Sequence, residues 1–157
     1  MSLRMDYVAA SPGGIRALRR VDGYLLQSGL SKTLLELVYL RVSQINGCAY
    51  CISKHSDDLL KGGMSLEKIL LVGVWREAEE FFDAVERSAL AWAESVTRVA
   101  ETNVPDADYQ AAAAVFDEKQ LADLTIAIVT MNAYNRLAIS FRVPPVTTAR
   151  PGTEIAG

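Results

Sequence analysis

Apolar residues recur at intervals of three and four along most of the chain, which is the spacing of one buried face of an α-helix. Capping residues, glycines and prolines divide this pattern into segments. The predicted helices span 12–28, 31–45, 48–60, 65–76, 79–101, 107–116 and 120–139. We find no turn-bounded stretch with the two-residue alternation of a strand. The pattern therefore predicts an all-α fold, a single-domain bundle of about six or seven helices.

The second predicted helix is the expected centre of the bundle. Apolar side chains cover more than half of its circumference after the cap residue Ser31. Glu36 lies among them, where an ionised carboxylate is costly unless it has a partner. A sharp reversal at Asn46-Gly47 would fold the following helix back toward Glu36. The fourth helix, 65–76, is expected to bury nearly all of its apolar residues.

Composition excludes several classes of protein. The chain has 157 residues, half of them hydrophobic, which suits one compact domain. A net charge of −3 and a pI near 5.2 argue against nucleic acid or an anionic membrane as a partner. The longest apolar runs are well short of the roughly 20 residues that cross a bilayer. Since no apolar leader is visible, we expect a cytoplasmic protein.

Both cysteines and the only histidine fall within eight residues of one another. Cys48, Cys51 and His55 have spacings of three and four, so a helix would carry all three on one face. A thiol at the start of a helix has a lowered pKa, and His55 could exchange its proton while Glu36 orients the ring. The thiolate could then cleave a hydroperoxide, and the resulting sulfenic acid could condense with the second cysteine to a disulfide.

Other readings of the cysteine pair remain open. Two cysteines three apart on a helix can simply be core residues. A structural zinc would need Cys48, Cys51, His55 and Glu36 as its four ligands, and we expect no metal. Covalent haem would need a histidine directly after the second cysteine, where Ile52 stands, and a thioredoxin-like fold would need flanking strands. We expect no cofactor other than a redox-active Cys48-Cys51 disulfide.

The order Glu36, eleven residues, Cys48, two residues, Cys51, three residues, His55 resembles the core motif of the alkyl hydroperoxidase D-like (AhpD-like) proteins. These proteins belong to the carboxymuconolactone decarboxylase superfamily. The stretch 132–139, NAYNRLAI, is similar to a late signature of the peroxidase-related branch. The resemblance implies an AhpD-like helical domain over 15–142, with an N-terminal extension, 1–14, and a C-terminal arm or tail, 143–157.

The same resemblance implies roles for the motif residues. Cys51 would be the peroxidatic thiol, Cys48 its proton donor and disulfide partner, and Glu36 and His55 the proton relay. Related proteins commonly carry a second histidine between the cysteines, where this chain has Tyr50. Tyrosine is a poor base near neutral pH, so the relay would be slower or would run through water.

Polar groups in the last helix are further candidates for the site. Because they interrupt an apolar helix, they either satisfy buried backbone groups or line the cysteine pocket. They are Asn132, Tyr134, Asn135 and Arg136. The resemblance also implies a homo-oligomer, commonly a trimer or hexamer.

The resulting hypothesis is a thiol-dependent peroxidase that reduces hydrogen peroxide or small organic hydroperoxides and is reset by an unknown thiol or protein reductant. Three alternatives remain. The chain could reduce protein disulfides or relay electrons, it could be a non-enzymatic redox-sensing assembly, or it could be a carboxymuconolactone decarboxylase-like enzyme. The last of these would not depend on the cysteine pair.

Overall fold

The structure is a computed structural model that describes residues 2–146, and these residues form helices joined by short turns, with no strand among them. The α-helices are α1 (Tyr7–Ala10), α2 (Pro12–Leu25), α3 (Lys32–Asn46), α4 (Ala49–Lys61), α5 (Leu66–Leu71), α6 (Ala84–Thr97), α7 (Val99–Thr102), α8 (Asp106–Ala113) and α9 (Glu118–Phe141). Two 3-10 helices, Val72–Glu77 and Glu79–Phe81, lie between α5 and α6. The predicted all-α class is confirmed.

The number of helices depends on how short a helix is counted. Within the described part of the chain, seven α-helices have six residues or more, as the apolar spacing predicted. The remaining two, α1 and α7, have four residues each and carry too few positions to show a period. Most of the predicted tail, 143–157, lies outside the described residues, so the proposed domain limits stay a prediction.

Helix α3 is the centre of the bundle, as its apolar pattern predicted. It packs against α4, α6 and α9. Five of its apolar side chains are essentially inaccessible to solvent: Leu35, Leu37, Val38, Leu40 and Val42. Both cysteines belong to the larger of the two apolar clusters that surround this helix. None of the helices in residues 2–146 combines the length and apolarity needed to cross a membrane.

The predicted fourth helix, 65–76, is shorter than expected. Ser65 caps it by accepting the N–H of Lys68, but α5 ends at Leu71 and a 3-10 helix follows. Val74 in that 3-10 helix has non-helical backbone angles. Gly73 and β-branched valines have weak helix propensity, and this allows Trp75 to turn inward. The expected burial of this face was also wrong, because Leu70 is 70% exposed.

The long helix predicted over 79–101 is interrupted twice. Asp83 and Glu86 form a reciprocal capping box, in which each side chain accepts the backbone N–H of the other residue. This arrangement starts α6 at Ala84 rather than at Glu79. Arg98 then separates α6 from α7. Trp92 is buried on α6.

Candidate active site

The turn between α3 and α4 brings the cysteines back toward the first half of α3. Gly47 has a left-handed backbone with φ of 69°. Its N–H bonds the Gln44 carbonyl at 3.2 Å, and the Cys48 N–H bonds the Ser43 carbonyl at 3.0 Å. This pair of bonds is the Schellman motif, which needs a residue that tolerates positive φ. The predicted reversal at Asn46-Gly47 is therefore confirmed.

Cys48 is the N-cap of α4. Its Sγ accepts the backbone N–H of Cys51 at 3.4 Å, in the way that serine or aspartate oxygens cap other helices. The two thiols also lie close enough for each to shift the pKa of the other. Both are free thiols with at most 3% of their surface exposed. The two sulfurs therefore share one small buried environment.

The pair loses its first proton far more easily than an isolated thiol. The hydrogen bond from the Cys51 thiol lowers the pKa of Cys48 to about 7, and the N–H of Cys51 and the amide of Asn135 act in the same direction against burial. Donating that hydrogen bond raises the pKa of Cys51, and burial raises it further. In the singly ionised pair the charge therefore lies on Cys48.

His55 and Glu36 form a hydrogen-bonded pair close to the cysteines. The Nδ1 atom of His55 lies 2.7 Å from Oε2 of Glu36, and the imidazole is 5% exposed. The ring of Tyr39 packs against the imidazole with 5.3 Å between centroids. Fixing Nδ1 on a carboxylate sets the orientation of the ring and leaves Nε2 for proton transfer. Glu36 thus has the partner that its apolar surroundings required.

A cavity of about 320 Å³ joins these groups. Cys51, His55 and Glu36 all line it, whereas Cys48 is not among its lining residues. Most of the remaining wall is aromatic or apolar. This volume is at the lower end of the range for small-molecule sites. Cys51 is therefore the cysteine that borders the cavity, whereas Cys48 is the cysteine that ionises first.

Three of the other candidates from the sequence lie in or directly behind the cavity. Tyr50 and Tyr134 line the cavity. Asn135 is fully buried behind the cysteines, where it donates to Ser43 and accepts from Asn46.

The remaining two candidates point elsewhere. Asn132 accepts from Asn46 and donates to Thr97, outside the cavity. Arg136 is exposed, because it follows the buried Asn135 by 100° around the helix and so faces solvent. Its guanidinium donates to the side chain of Asn132. Of the four candidate residues on α9, Tyr134 alone lines the cavity.

Sequence reasoning missed several residues that surround the site. Tyr39 follows Glu36 by three positions, and this helical spacing was the available signal. Asp22 accepts the Tyr134 hydroxyl at 2.6 Å, but the two residues are 112 positions apart and only the fold brings them together. Tyr7 of α1 also lines the cavity, although its segment was regarded as an extension.

One cluster of candidate metal ligands in the described residues differs from the set considered in the sequence. Ligand atoms of Glu36, His55 and Asp58 lie within 4.8 Å of one another. Each of them already has a protein partner, since Glu36 bonds His55 and the Lys54 ammonium lies 2.5 Å from Asp58. The cysteines are not part of this group.

A larger cavity, of about 460 Å³, lies between α6, α8 and the first 3-10 helix. Its wall includes Glu94, a buried carboxylate that accepts hydrogen bonds from Arg41, Arg76 and Trp75. Burial alone would raise the pKa of Glu94, but these donors prevail and lower it. None of Glu36, Cys48, Cys51 and His55 borders this cavity, so we assign it no part in thiol chemistry.

Comparison with known proteins agrees with the resemblance found in the motif. Residues 12–95 match the carboxymuconolactone decarboxylase family. The uncharacterized protein YdfG of Bacillus subtilis is 35% identical over 140 residues, which cover 89% of this chain and 95% of that protein. The alkyl hydroperoxide reductase AhpD of an Anaeromyxobacter species is 36% identical over 67 residues, or 42% of this chain and 36% of that protein.

The fold agrees as well. A crystal structure from Agrobacterium tumefaciens, of a protein of unknown function with a suggested assignment as an antioxidant defence protein AhpD, superposes with a TM-score of 0.89. It is 35% identical in sequence, and the match covers 93% of this chain and 99% of that one. The chain belongs to the carboxymuconolactone decarboxylase family and is an AhpD-like member of that superfamily.

Proposed function

We propose that the protein is a thiol-dependent peroxidase that reduces hydrogen peroxide or small organic hydroperoxides. One observation carries the proposal: Cys51 lines the same cavity as the His55-Glu36 pair, and its backbone N–H donates to the sulfur of Cys48 at 3.4 Å. A nucleophile, a proton carrier and a resolving thiol are the three groups that a dithiol peroxidase needs. The match to AhpD, a protein named as an alkyl hydroperoxide reductase, supports it.

The first step moves charge to the sulfur that can reach a substrate. The Cys51 proton passes to Cys48 through the hydrogen bond between the two thiols. The Cys51 thiolate then attacks the outer oxygen of the hydroperoxide and the O–O bond breaks. Cys51 becomes a sulfenic acid, and the alkoxide leaves as an alcohol after taking a proton from protonated His55. Glu36 keeps the imidazole aimed at the cavity during this transfer.

The second step closes the disulfide. The Cys48 thiol attacks the sulfenic sulfur of Cys51, the S–O bond breaks, and water leaves. An external thiol or protein dithiol then supplies two electrons and two protons and restores both cysteines. The net reaction converts one hydroperoxide and two thiols into one alcohol, one water and one disulfide.

The burial of the pair favours a small peroxide over a protein disulfide as the oxidant. Thiol–disulfide exchange needs an approach of the partner's sulfur to the attacking one. Cys48 and Cys51 are 1% and 3% exposed, and Cys51 is reached through a cavity of about 320 Å³. A peptide loop would have to displace part of that wall, whereas a small hydroperoxide fits inside it.

The test is peroxide consumption with a dithiol reductant in the wild type and in cysteine variants. We expect Cys51→Ser to reduce turnover to background. Without added reductant, Cys48→Ser should still consume one equivalent of peroxide and then stop as a sulfenic acid, which dimedone labelling and mass spectrometry would locate at Cys51. Wild-type turnover in Cys51→Ser would contradict the proposal.

A matched control is available because the chain has two cysteines. The double variant with serine at 48 and 51 measures the background of the assay. The same variant examines the decarboxylase alternative, since turnover of a carboxylated lactone that survives loss of both sulfurs would assign the chain to that reaction instead.

We also propose that the protein forms a homo-oligomer, a trimer or hexamer, as the motif resemblance implies. Leu66, Leu70 and Val74 are each more than half exposed and follow one another at intervals of four residues. Exposed apolar surface of this kind is often covered by another subunit. Sedimentation equilibrium would give the subunit number, and a monomer at all protein concentrations would contradict this part of the proposal.

A further inference from the structure

The N-terminal segment, residues 2–10, has one half-buried side chain. Tyr7 is half-buried, and every other residue of the segment is exposed. The short helix α1 begins at Tyr7 because the Asp6 carboxylate accepts the N–H groups of Val8 and Ala9, both at 3.0 Å. This single helical turn fixes the direction in which the Tyr7 ring points.

The segment is bonded to the C-terminal end of α9. The backbone N–H of Arg4 bonds the Phe141 carbonyl at 2.9 Å, and its guanidinium bonds the Ser140 carbonyl at 3.0 Å. The ring of Tyr7 stacks on Phe141 with 5.3 Å between centroids and 21° between planes. Two hydrogen bonds and one aromatic stack therefore hold the segment on the last turn of α9.

This attachment lays Tyr7 over the cysteine cavity. Tyr7 and its neighbour Val8 form part of the wall that also contains Tyr50 and Cys51. Burial raises the pKa of the Tyr7 phenol, and the nearby Tyr50 and Cys51 raise it further. The ring therefore lies within electrostatic range of the cavity-facing thiol as well as bounding the space in front of it.

We propose that Tyr7 is the specificity-determining wall of the cysteine cavity, admitting compact hydroperoxides to Cys51 and excluding bulky ones. The inference rests on the proposed function for its substrate, but the barrier itself concerns access to a sulfur atom. A segment with few buried contacts opens more readily than the helices beneath it. Removing the ring or its stacking partner should therefore widen the route to Cys51.

The experiment compares alkylation of Cys51 by a small reagent, iodoacetamide, with alkylation by a bulky one, fluorescein maleimide, in the full-length protein. Peptide mass spectrometry assigns each adduct to Cys51. In Tyr7→Ala we expect the ratio of bulky to small rates to rise about ten-fold, which corresponds to lowering the steric barrier for the bulky reagent by about 1.4 kcal/mol. Phe141→Ala removes the stacking partner of Tyr7 without removing any residue that lines the cavity, and it should move the ratio in the same direction.

Two matched variants separate the ring from its hydroxyl and from tyrosine in general. Tyr7→Phe keeps the ring and should keep the exclusion of the bulky reagent. Tyr109→Ala removes an exposed tyrosine on α8, outside the cavity, and should leave the ratio at the wild-type value. An unchanged ratio in both Tyr7→Ala and Phe141→Ala, with folding confirmed by circular dichroism, would overturn the inference.

Peroxide kinetics then tie the barrier to the substrate. The ratio of kcat/KM for cumene hydroperoxide to kcat/KM for hydrogen peroxide should rise in Tyr7→Ala. Alkylation needs no turnover, so the two proposals fail separately. A wild type without peroxidase activity would end the proposed function, whereas an unmoved alkylation ratio in an active enzyme would end the role of Tyr7 alone.

Discussion

The imidazole Nδ1 of His55 lies 2.7 Å from Oε2 of Glu36, although the two residues are 19 positions apart. The turn at Gly47 makes this contact possible, because it lays α4 against α3 with the two side chains facing each other. The pair lies beside the cysteines and lines the same cavity as Cys51. Its contribution to the reaction can be measured separately from that of the sulfurs.

We expect Glu36→Gln and His55→Ala each to lower kcat/KM for peroxide by about 10²-fold, the lower part of the range for general acid–base groups. The expected cause is loss of proton transfer to the leaving alkoxide. Stopped-flow measurement of the oxidation step would show it. Glu101→Gln, an exposed glutamate on α7, is the control and should react as the wild type does.

Substitution of Glu36 or His55 should leave both cysteine thiols intact. Titration of thiols with a disulfide reagent after unfolding should count two in every variant. If both substitutions left the rate of peroxide oxidation within two-fold of wild type, a value that corresponds to about 0.4 kcal/mol, the pair would have no catalytic part.

The cysteine pair should release its first proton near pH 7. The pKa of Cys48 is lowered to about 7 by the Cys51 thiol, so the thiolate forms as the pH rises through that value and is lost as it falls. The ultraviolet absorbance of thiolate should show one step there. The second proton should leave only at strongly alkaline pH, because the pKa of Cys51 is raised.

Two variants test the physical cause of that titration. In Cys51→Ala the hydrogen bond to Cys48 is gone, and the remaining thiol should titrate at higher pH. In Asn135→Ala the loss of the nearby amide should move the first step upward by a smaller amount. An unshifted step in Cys51→Ala would show that the coupling between the thiols does not set the pKa.

Glu94 should contribute to stability and not to peroxide chemistry. Removing this buried carboxylate leaves Arg41 without its partner. Breaking a buried ion pair costs about 3–5 kcal/mol. We expect a loss of about 3 kcal/mol, at the lower end of that range, because the second cation, Arg76, is largely exposed. Urea denaturation of Glu94→Ala should show this loss, with Glu101→Ala as the control. Peroxide turnover at low temperature should persist.

The same carboxylate predicts a pH dependence. The pKa of Glu94 is lowered on folding, so its contribution to the free energy of unfolding is present above the ordinary pKa of 4.5 and is lost as the pH falls through the lowered value. The stability difference between wild type and Glu94→Ala should therefore shrink in acid. A difference that stayed constant would contradict the ion-pair explanation.

Gly47 should tolerate a side chain poorly because its φ is positive. Alanine there must adopt positive φ, which costs about 1 kcal/mol, although nothing blocks its Cβ. Gly23, inside α2, also has open space but an ordinary helical backbone, so Gly23→Ala should stabilise by about 0.5–1 kcal/mol. Thermal denaturation should show a lower melting temperature for Gly47→Ala and a higher one for Gly23→Ala. Shifts in the same direction would refute the prediction.

The helical class, the central place of α3 and the reversal at Gly47 were predictable because each follows from local chemistry. Ser31 and Ser65 cap their helices as the sequence indicated. The breaks at Val74 and Asp83 were missed, since apolar spacing continues across both. At these two positions helix propensity and capping determine where a helix ends or begins, and the periodicity of apolar residues carries no information about either.

The candidate site was predictable to the extent that its spacing is helical. Cys48, Cys51 and His55 lie on one face of α4 because three- and four-residue intervals require it. Asp22 contacts Tyr134, and Tyr7 contacts Phe141, in both cases across more than one hundred residues of sequence. Such contacts depend on tertiary packing and cannot be predicted from a local sequence pattern. Arg136 was included for its polarity, whereas its angular position on α9 turns it to solvent.

The sulfur that caps α4 is also the sulfur proposed to form the disulfide. A thiolate accepts the Cys51 amide proton more strongly than a disulfide sulfur does. Oxidation should therefore loosen the opening turn of that helix, and faster amide hydrogen exchange at Cys51 in the oxidised form would reveal it. Each catalytic cycle would then alternate between a tightened and a relaxed helix end, and the relaxed form is the one that a reductant must reach.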